Sequence, residues 1–546
     1  MPKNLLASMA KIPNQTTGAG WHKASLRHLL SKSDEFVNIV ELVTSRGILT
    51  EENSRKVLTL ARRLVEHPKI HGASITDNPG GNPMICADTL GRDLISRGQE
   101  VIIHLSCKDW NRNGLEGRAW QLASEGFDNV LTLSGDYPIS GYEGQAEGVF
   151  DIDSVGLLKM LKDMNRGLEE KKRNRKKTMM PTDFFLGAVV NNHKRLESEV
   201  MPQYFKLIKK IKTGAAFIIN QVGYDSRKQD ELIKYMQKKG LNVPVIANVY
   251  VLKASTARFF HGGTIPGIEV TDELLELCQA EAASKDKGKS FFTEFAAKQC
   301  AIAKGLGYRG VYLGGHLEYE DYEQIIEKTN NYGKDDWREF AKEIRFSQPG
   351  EFFYFQKDPE SGLSSTKVNQ EYLKSKNLSQ LKKTRRQISP AYRLNRRVHN
   401  FVFEKGSPCF GIGKKFYKMV DDSRNGIRKF LHGLEQAIKM PAFDCRDCGD
   451  CSLPDIAYLC PESQCVKNQR NGPCGGTRKG KCEIGEKECI WSRAYNRLKA
   501  YGHEEELLTR EVIIKDNSLS GTSAWMNTFL ERDHLSKTHH PKKGSL

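Results

Sequence analysis

Eight of the thirteen cysteines in this 546-residue chain fall in one short stretch: Cys445, Cys448, Cys451, Cys460, Cys465, Cys474, Cys482 and Cys489. The opening C-x2-C-x2-C triplet lets three thiolates wrap one corner of a cluster, an iron–sulfur arrangement. Zinc sites more often use two separated C-x2-C pairs, and no second pair is present. A [4Fe–4S] cluster is the expectation, with zinc as the alternative. Eight thiols suffice for one [4Fe–4S] plus zinc, for two clusters, or for one cluster with spare cysteines. Gly449 lets backbone N–H groups turn toward sulfur, Pro461 and Pro473 stiffen the loops, and the NGPCGG run at 471–476 allows close backbone approach. Disulfide staples belong to small secreted domains that cannot bury a core. This chain is long enough for several domains, and its first thirty residues show no apolar core with a small-residue cleavage site. The thiols are therefore expected to be reduced, in a cytoplasmic protein.

A second set of reactive types sits where short apolar runs end: Val40-Glu41-Leu42, Ser74-Ile75-Thr76-Asp77-Asn78, His104-Leu105-Ser106-Cys107-Lys108-Asp109, Leu133-Ser134-Gly135-Asp136-Tyr137-Pro138 and Asn220-Gln221. Each group alone could be a capped loop or a satisfied core residue. Five such ends converging on one rim make an active site. The elements that would bring them together are eight β-branched runs, at 37–43, 70–76, 100–107, 129–134, 184–191, 215–221, 243–250 and 309–314. Amphipathic stretches such as 54–66 and 116–124 alternate with them. Strand–helix alternation demands parallel strands with crossover helices, and eight units close a (β/α)8 TIM barrel, whose chemistry lies at the C-terminal strand ends. An open doubly wound sheet lacks the G-x-G-x-x-G turn that would support it.

The expected layout is a basic arm at 1–33, an α/β barrel at 34–320, a basic, partly helical connector at 321–440, a cysteine-rich metal domain at 441–503 and a polar tail at 504–546, with 537–546 disordered. Residues 361–440 hold eighteen Lys/Arg against five Asp/Glu. The net charge of +17 comes without helix-turn-helix, RNP-type or finger spacing, so no nucleic acid partner is expected. No run reaches the roughly 20 apolar residues of a membrane span.

The motifs then carry a resemblance. Residues 34–316 resemble the catalytic barrel of 5,10-methylenetetrahydrofolate reductase, through HLSCKDWNRNGLEGRAWQLASEGFDNVLTLSGDYP (104–138), VFDIDSVGLL (149–158) and KIKTGAAFIINQVGYD (210–225). Residues 443–502 resemble the cysteine-rich C-terminal module fused to or partnered with such reductases, through FDCRDCGDCSLPDIAYLCPESQC (443–465) and NGPCGG. The resemblance implies a flavin, FAD or FMN, that passes a hydride to the methylene carbon of a folate substrate and yields the 5-methyl product of one-carbon metabolism. It assigns Glu41 as the acid that protonates the folate, Asp136 as the carboxylate beside the flavin pyrimidine and Gln221 as the folate-orienting amide. It assigns Thr76, His104, Ser134 and Gly135 to flavin contacts, Phe150 and Asp151 more loosely, and Lys210 to the flavin phosphate. The strand-one motif reads ELVTSRG, without the usual two prolines, and KASTARFF (253–260) shows no match to the stacking aromatic. Both departures weigh against NADH as direct donor and toward electrons arriving through the metal module, from ferredoxin or another donor protein docked on the basic connector. The same connector could instead guide an anionic polyglutamyl folate. A homo-oligomer or a complex subunit is expected. The alternatives are a zinc-stabilised docking module and the reverse reaction, oxidation of methyl-folate.

Overall fold

The computed structural model describes residues 23–172, 175–375, 390–422 and 425–537. Eight parallel strands close into a barrel: β1 (Val37–Leu42), β2 (Gly72–Ile75), β3 (Glu100–Ser106), β4 (Asn129–Leu133), β5 (Phe185–Val190), β6 (Phe217–Asn220), β7 (Val245–Tyr250) and β8 (Gly310–Gly314). Closure pairs β1 with β8, Ile39 opposite Tyr312, and all eight expected runs are strands to within two residues at either end. The barrel is the (β/α)8 architecture anticipated.

Alternation along the strands divides the core. Val37, Ile39, Ile102, Leu131, Phe217, Ile219, Ile246 and Tyr312 fill the interior, while Val40, Leu42, Ile75, Ile103 and Ala247 pack outward against the helices. Leu26, Leu29 and Leu30 of the short helix Leu26–Lys32 join the inner cluster and plug the lower end. Burying each of those leucines contributes roughly 2 kcal/mol. The expected basic arm therefore ends in a barrel plug; residues 1–22 lie outside the described residues.

Beyond β8 a small antiparallel hairpin, Phe355–Lys357 with Ser364–Val368, docks on the helix Ser226–Lys238. There the buried carboxylate of Glu231 accepts from Tyr354 N (2.6 Å) and Phe355 N (3.2 Å). Three helices follow, Pro390–Val402, Pro408–Asp421 and Asn425–Phe443, within and just beyond the expected partly helical connector, the last leading into the cysteines. The helix Ile490–Lys499 closes the module and lies against the barrel helix Glu197–Thr213. Tyr495 donates to Glu197 at 2.6 Å, and the Ser492 and Ser198 hydroxyls are 2.7 Å apart. The polar stretch 504–537 is folded onto the module, with Ile513, Met526 and Phe529 buried; residues 538–546 lie outside the described residues. No described helix is long and apolar enough to cross a membrane.

Candidate active site at the barrel mouth and its cysteine cover

Glu41 shares its strand face with the interior residue Ile39, at the upper end of β1. Its Oε1 accepts from the Tyr312 hydroxyl at 3.0 Å. A Cβ at Gly314 would come within 2.6 Å of Oε2, so the strand approaches the carboxyl as only glycine allows. Burial pushes the Glu41 pKa up, and the Tyr312 hydrogen bond only partly offsets it. The result is a carboxyl that holds its proton closer to neutrality and opens on a mouth cavity of about 1620 Å³, whose walls include Tyr250, Lys253, Gly315 and His316. Gly315 and His316, just after β8, thus form one wall. Behind Glu41, His104 Nε2 lies 2.9 Å from Ser74 Oγ, and the His104 ring stacks on Tyr312 at 6.4 Å. Burial lowers the His104 pKa to about 4, so the ring is neutral.

The remaining expected residues divide between this mouth and a seam with the module. Thr76 is buried at the end of β2, its N–H on Leu42 O at 3.1 Å. Gln221 ends β6, its N–H on Val190 O and its side-chain oxygen on Val222 N at 2.9 Å. The Asp136 carboxylate accepts from Gly80 N at 2.8 Å. Ser134 donates to Gln469 of the module (3.0 Å), and the carbonyl of Gly135 accepts from Lys467 (2.8 Å). Gly135 has φ +85°, and a Cβ there would strike Lys108 at 2.9 Å. Lys210 donates to Val189 O at 2.6 Å, and burial lowers its pKa to about 7; its amine is spent on a strand carbonyl rather than presented to the mouth. Phe150, at φ +40°, stacks on Tyr137 at 6.1 Å. Asp151 is doubly bonded to Arg112 at 2.7 and 2.8 Å, and although burial opposes it, that pairing holds its pKa down to about 2.

Sequence reasoning missed the residues that make the seam. Asp153 caps the helix Ser154–Met164 through Val155 N and Gly156 N and also accepts from Arg470 N, Asn471 N and Asn471 Nδ2, at 2.8–3.2 Å. Lys206 donates to Gln469 Oε1 and to the carbonyls of Gly472 and Pro473, at 2.9–3.1 Å. The KNQR run between Cys465 and the NGPCGG turn offered no distinguishing signal, because the neighbouring loops TRKGK (477–481) and EIGEKE (483–488) are equally polar. Beside the seam a polar cavity of about 760 Å³ is walled by Arg112, Tyr137, Phe150 and Asp151 from the barrel and by Cys465 and Asn468 from the module.

The eight module cysteines fall into two groups of four. Cys445, Cys448, Cys451 and Cys460 wall one small cavity; Cys465, Cys474, Cys482 and Cys489 wall another. Burial pushes Cys451 and Cys465 up to about 12. Backbone N–H groups of Asp447, Gln469 and Gly476 point at Cys445, Cys465 and Cys474, each at 3.4 Å. Among the described residues, no three His, Cys, Asp or Glu side chains converge on a single ion position. The shared walls and amide donors bring the sulfurs together four by four.

A closed (β/α)8 barrel with Glu41 on its mouth cavity and a cysteine module joined to the end of β4 defines a barrel protein whose candidate site lies at the C-terminal strand ends. Residues 49–313 match the methylenetetrahydrofolate reductase family, and residues 425–518 match the methylene-tetrahydrofolate reductase C-terminal family. The two matches together span about two thirds of the 546 residues, and the chain belongs to the methylenetetrahydrofolate reductase family. Comparison with curated proteins gives no match. Among solved structures, a Clostridium thermocellum protein described as binding two copies of 5-methyl-5,6,7,8-tetrahydrofolic acid is 15% identical, over 54% of this chain and 94% of its own, with a TM-score of 0.39. At that score nothing about this chain's ligand follows from it.

Proposed function

We propose that the chain reduces 5,10-methylenetetrahydrofolate to 5-methyltetrahydrofolate, with electrons entering through the cysteine module. The observation that carries this reading is the half-buried Glu41, its pKa raised by burial, on the mouth cavity of a barrel of this family. Reduction of the methylene carbon consumes two electrons and two protons. Glu41 supplies one proton to the ring nitrogen that leaves that carbon as the five-membered ring opens. Tyr312 holds the carboxyl on the mouth side, and the amide of Gln221 orients the folate.

A flavin, when bound, supplies the hydride. Thr76, His104, Ser134 and Gly135 at the strand ends are the residues that would hold it, with Phe150 and Asp151 more loosely. A route for electrons is supported by Cys465, which walls the 760 Å³ cavity together with Phe150 and Asp151. Lys467 likewise joins Gly135 to the second cysteine group, and Arg470 spans to the first by donating to Ser452 Oγ at 2.6 Å. The C-x2-C-x2-C spacing favours [4Fe–4S] over zinc in the first group.

Anaerobic purification with flavin, iron and labile-sulfide analysis tests the cofactors; colourless protein lacking both would sink the reading. Glu41→Gln is expected to lower methylene-folate turnover at least about hundredfold while flavin reduction by dithionite proceeds as before. Folate turnover at the original rate would remove Glu41 from the mechanism.

A further inference from the structure

The three helices before the cysteines each bury one face and leave an apolar stripe in solvent. Phe410, Tyr417 and Val420 form a core with Met526 and Phe529, against which Val402, Phe403 and Leu431 pack. The opposite stripes are Leu394, Val398 and Phe401; Ile412, Phe416 and Met419; and Ile427, Phe430, Leu434 and Ile438. Their spacing is i, i+4, i+7 on the first two helices and i, i+3, i+7, i+11 on the third, one face of a helix in each case. Ile412 is 68% exposed, Phe401 65% and Phe430 71%. Side chains of this size, about half exposed, present roughly 100 Å² of apolar surface each, so every stripe exposes a few hundred Å², the size of the largest patch a monomer ordinarily shows. Two of the helices lie between the two family-matched regions rather than within either.

The charge around the stripes is predominantly positive, with Glu404 and Asp422 as exposed acids beside it. Arg393, Arg397, Lys415, Lys418 and Lys429 are exposed beside them and, among the described residues, meet no carboxylate. A second copy of the same surface across a two-fold axis would set these cations against one another. A partner with an apolar centre and an acidic rim would complement both features. The position of the surface is also informative: the third helix runs directly into the first cysteine group, and its Lys439 and Phe443 share the cavity wall with Cys445, Cys448, Cys451 and Cys460.

We propose that the outward faces of these three helices form a docking surface for a small acidic electron-carrier protein, seated beside the first cysteine group. The identity of the partner as a redox carrier rests on the reductase reading above; the docking surface itself rests on the exposed stripes and their cationic rim.

The test uses the full chain, purified anaerobically, and an acidic bacterial two-[4Fe–4S] ferredoxin as probe, with binding followed by calorimetry. Saturable binding is expected, weakening as salt rises. It should fall at least tenfold in the exposed-site variants Phe430→Ser and Ile412→Ser and in the double variant Lys415→Glu/Lys418→Glu. Turnover driven by reduced viologen, which needs no docking, should match wild type in all of them. Absence of ferredoxin binding, or binding equal in every variant, overturns the proposal. So does a concentration-dependent dimer that Phe430→Ser dissolves, which makes the occupant a second copy, or vesicle co-sedimentation lost in the same variants, which makes it an anionic membrane. Failure of viologen-driven turnover in wild type would instead sink the reductase reading, and ferredoxin binding would still report on the surface.

Discussion

Tyr312→Phe isolates how the barrel sets the acidity of Glu41. The ring stays, keeping the stacking on His104, and only the hydroxyl at 3.0 Å from the carboxyl is lost. Burial and the nearby Glu41 carboxyl raise the tyrosine's own pKa well above its ordinary value, so it is a neutral donor throughout the working range. A hydrogen bond to a charged acceptor is worth about 1.5–3 kcal/mol and one to a neutral acceptor about 0.5–1.5. The donor therefore favours the carboxylate over the acid by about 1–1.5 kcal/mol, close to one pKa unit. The sign follows. Glu41 acts as the protonated acid, so activity falls as pH rises through its pKa. Deleting the donor that stabilises the anion raises that pKa further, and the falling limb moves about one unit to higher pH.

The assay is the pH profile of kcat/KM for methylene-folate with excess reduced viologen, which removes dependence on a protein donor. A carboxylic C=O band in difference infrared spectra should persist to correspondingly higher pH. An unmoved limb, or one displaced to lower pH, would refute the account. Activity lost uniformly at every pH would make Tyr312 the proton donor itself.

Two further outcomes follow from the seam and the module. Cys451→Ser should remove the iron and labile sulfide of the first group and Cys465→Ser only the metal of the second; a single substitution that empties the whole module would contradict the division into two groups. Asp153→Ala deletes a helix cap, worth about 1 kcal/mol, together with three hydrogen bonds from the module. Unfolding in denaturant should show a loss of about 3 kcal/mol or more and faster proteolysis of residues beyond 440; unchanged midpoints would mean the seam is held elsewhere.

The barrel was legible because each strand is a β-branched run bounded by polar strand ends, and Glu41 was legible as an acid inside such a run. Its partner was not. Tyr312 lies 271 residues away and becomes a neighbour only when β1 and β8 close the barrel, which no local pattern announces. The plug helix was hidden for a different reason: seven residues with three leucines inside a basic leader give too short a period to stand out. Hydropathy misjudged the stretch after 503 because polar contacts hold it. His534 lies between Asp450 (2.5 Å) and Asp455 (3.1 Å), and Asn527 donates to Gly449 O at 2.9 Å. The same polarity concealed the division of the cysteines. It depends on loops such as the one in which Cys482 N–H reaches Lys487 O, and not on spacing alone.

The seam also bears on what the cysteines hold. Lys194, Lys206, Lys210, Lys467 and Arg470 are all buried there. Lys467 pairs with Glu483 and Arg470 with Glu462. Lys194 and Lys206 hydrogen-bond only to carbonyl and amide oxygens among the described residues. Burial lowers both their pKa values; Glu199 opposes this for Lys194 and Asp153 for Lys206, each followed by Cys474. A buried cation without a directly paired counter-charge is costly, and neutral thiols add nothing to what those carboxylates supply. Four thiolates around a core of charge +2, whether [4Fe–4S] or zinc, carry a net charge of about −2 beside those lysines. The cations are thus placed to compensate a metallated second group. If the second group holds such a centre, its charge would add to that of Asp153 and Glu199 in holding the module on the barrel, and metal removal would speed proteolysis of residues beyond 440; an unchanged rate would refute that.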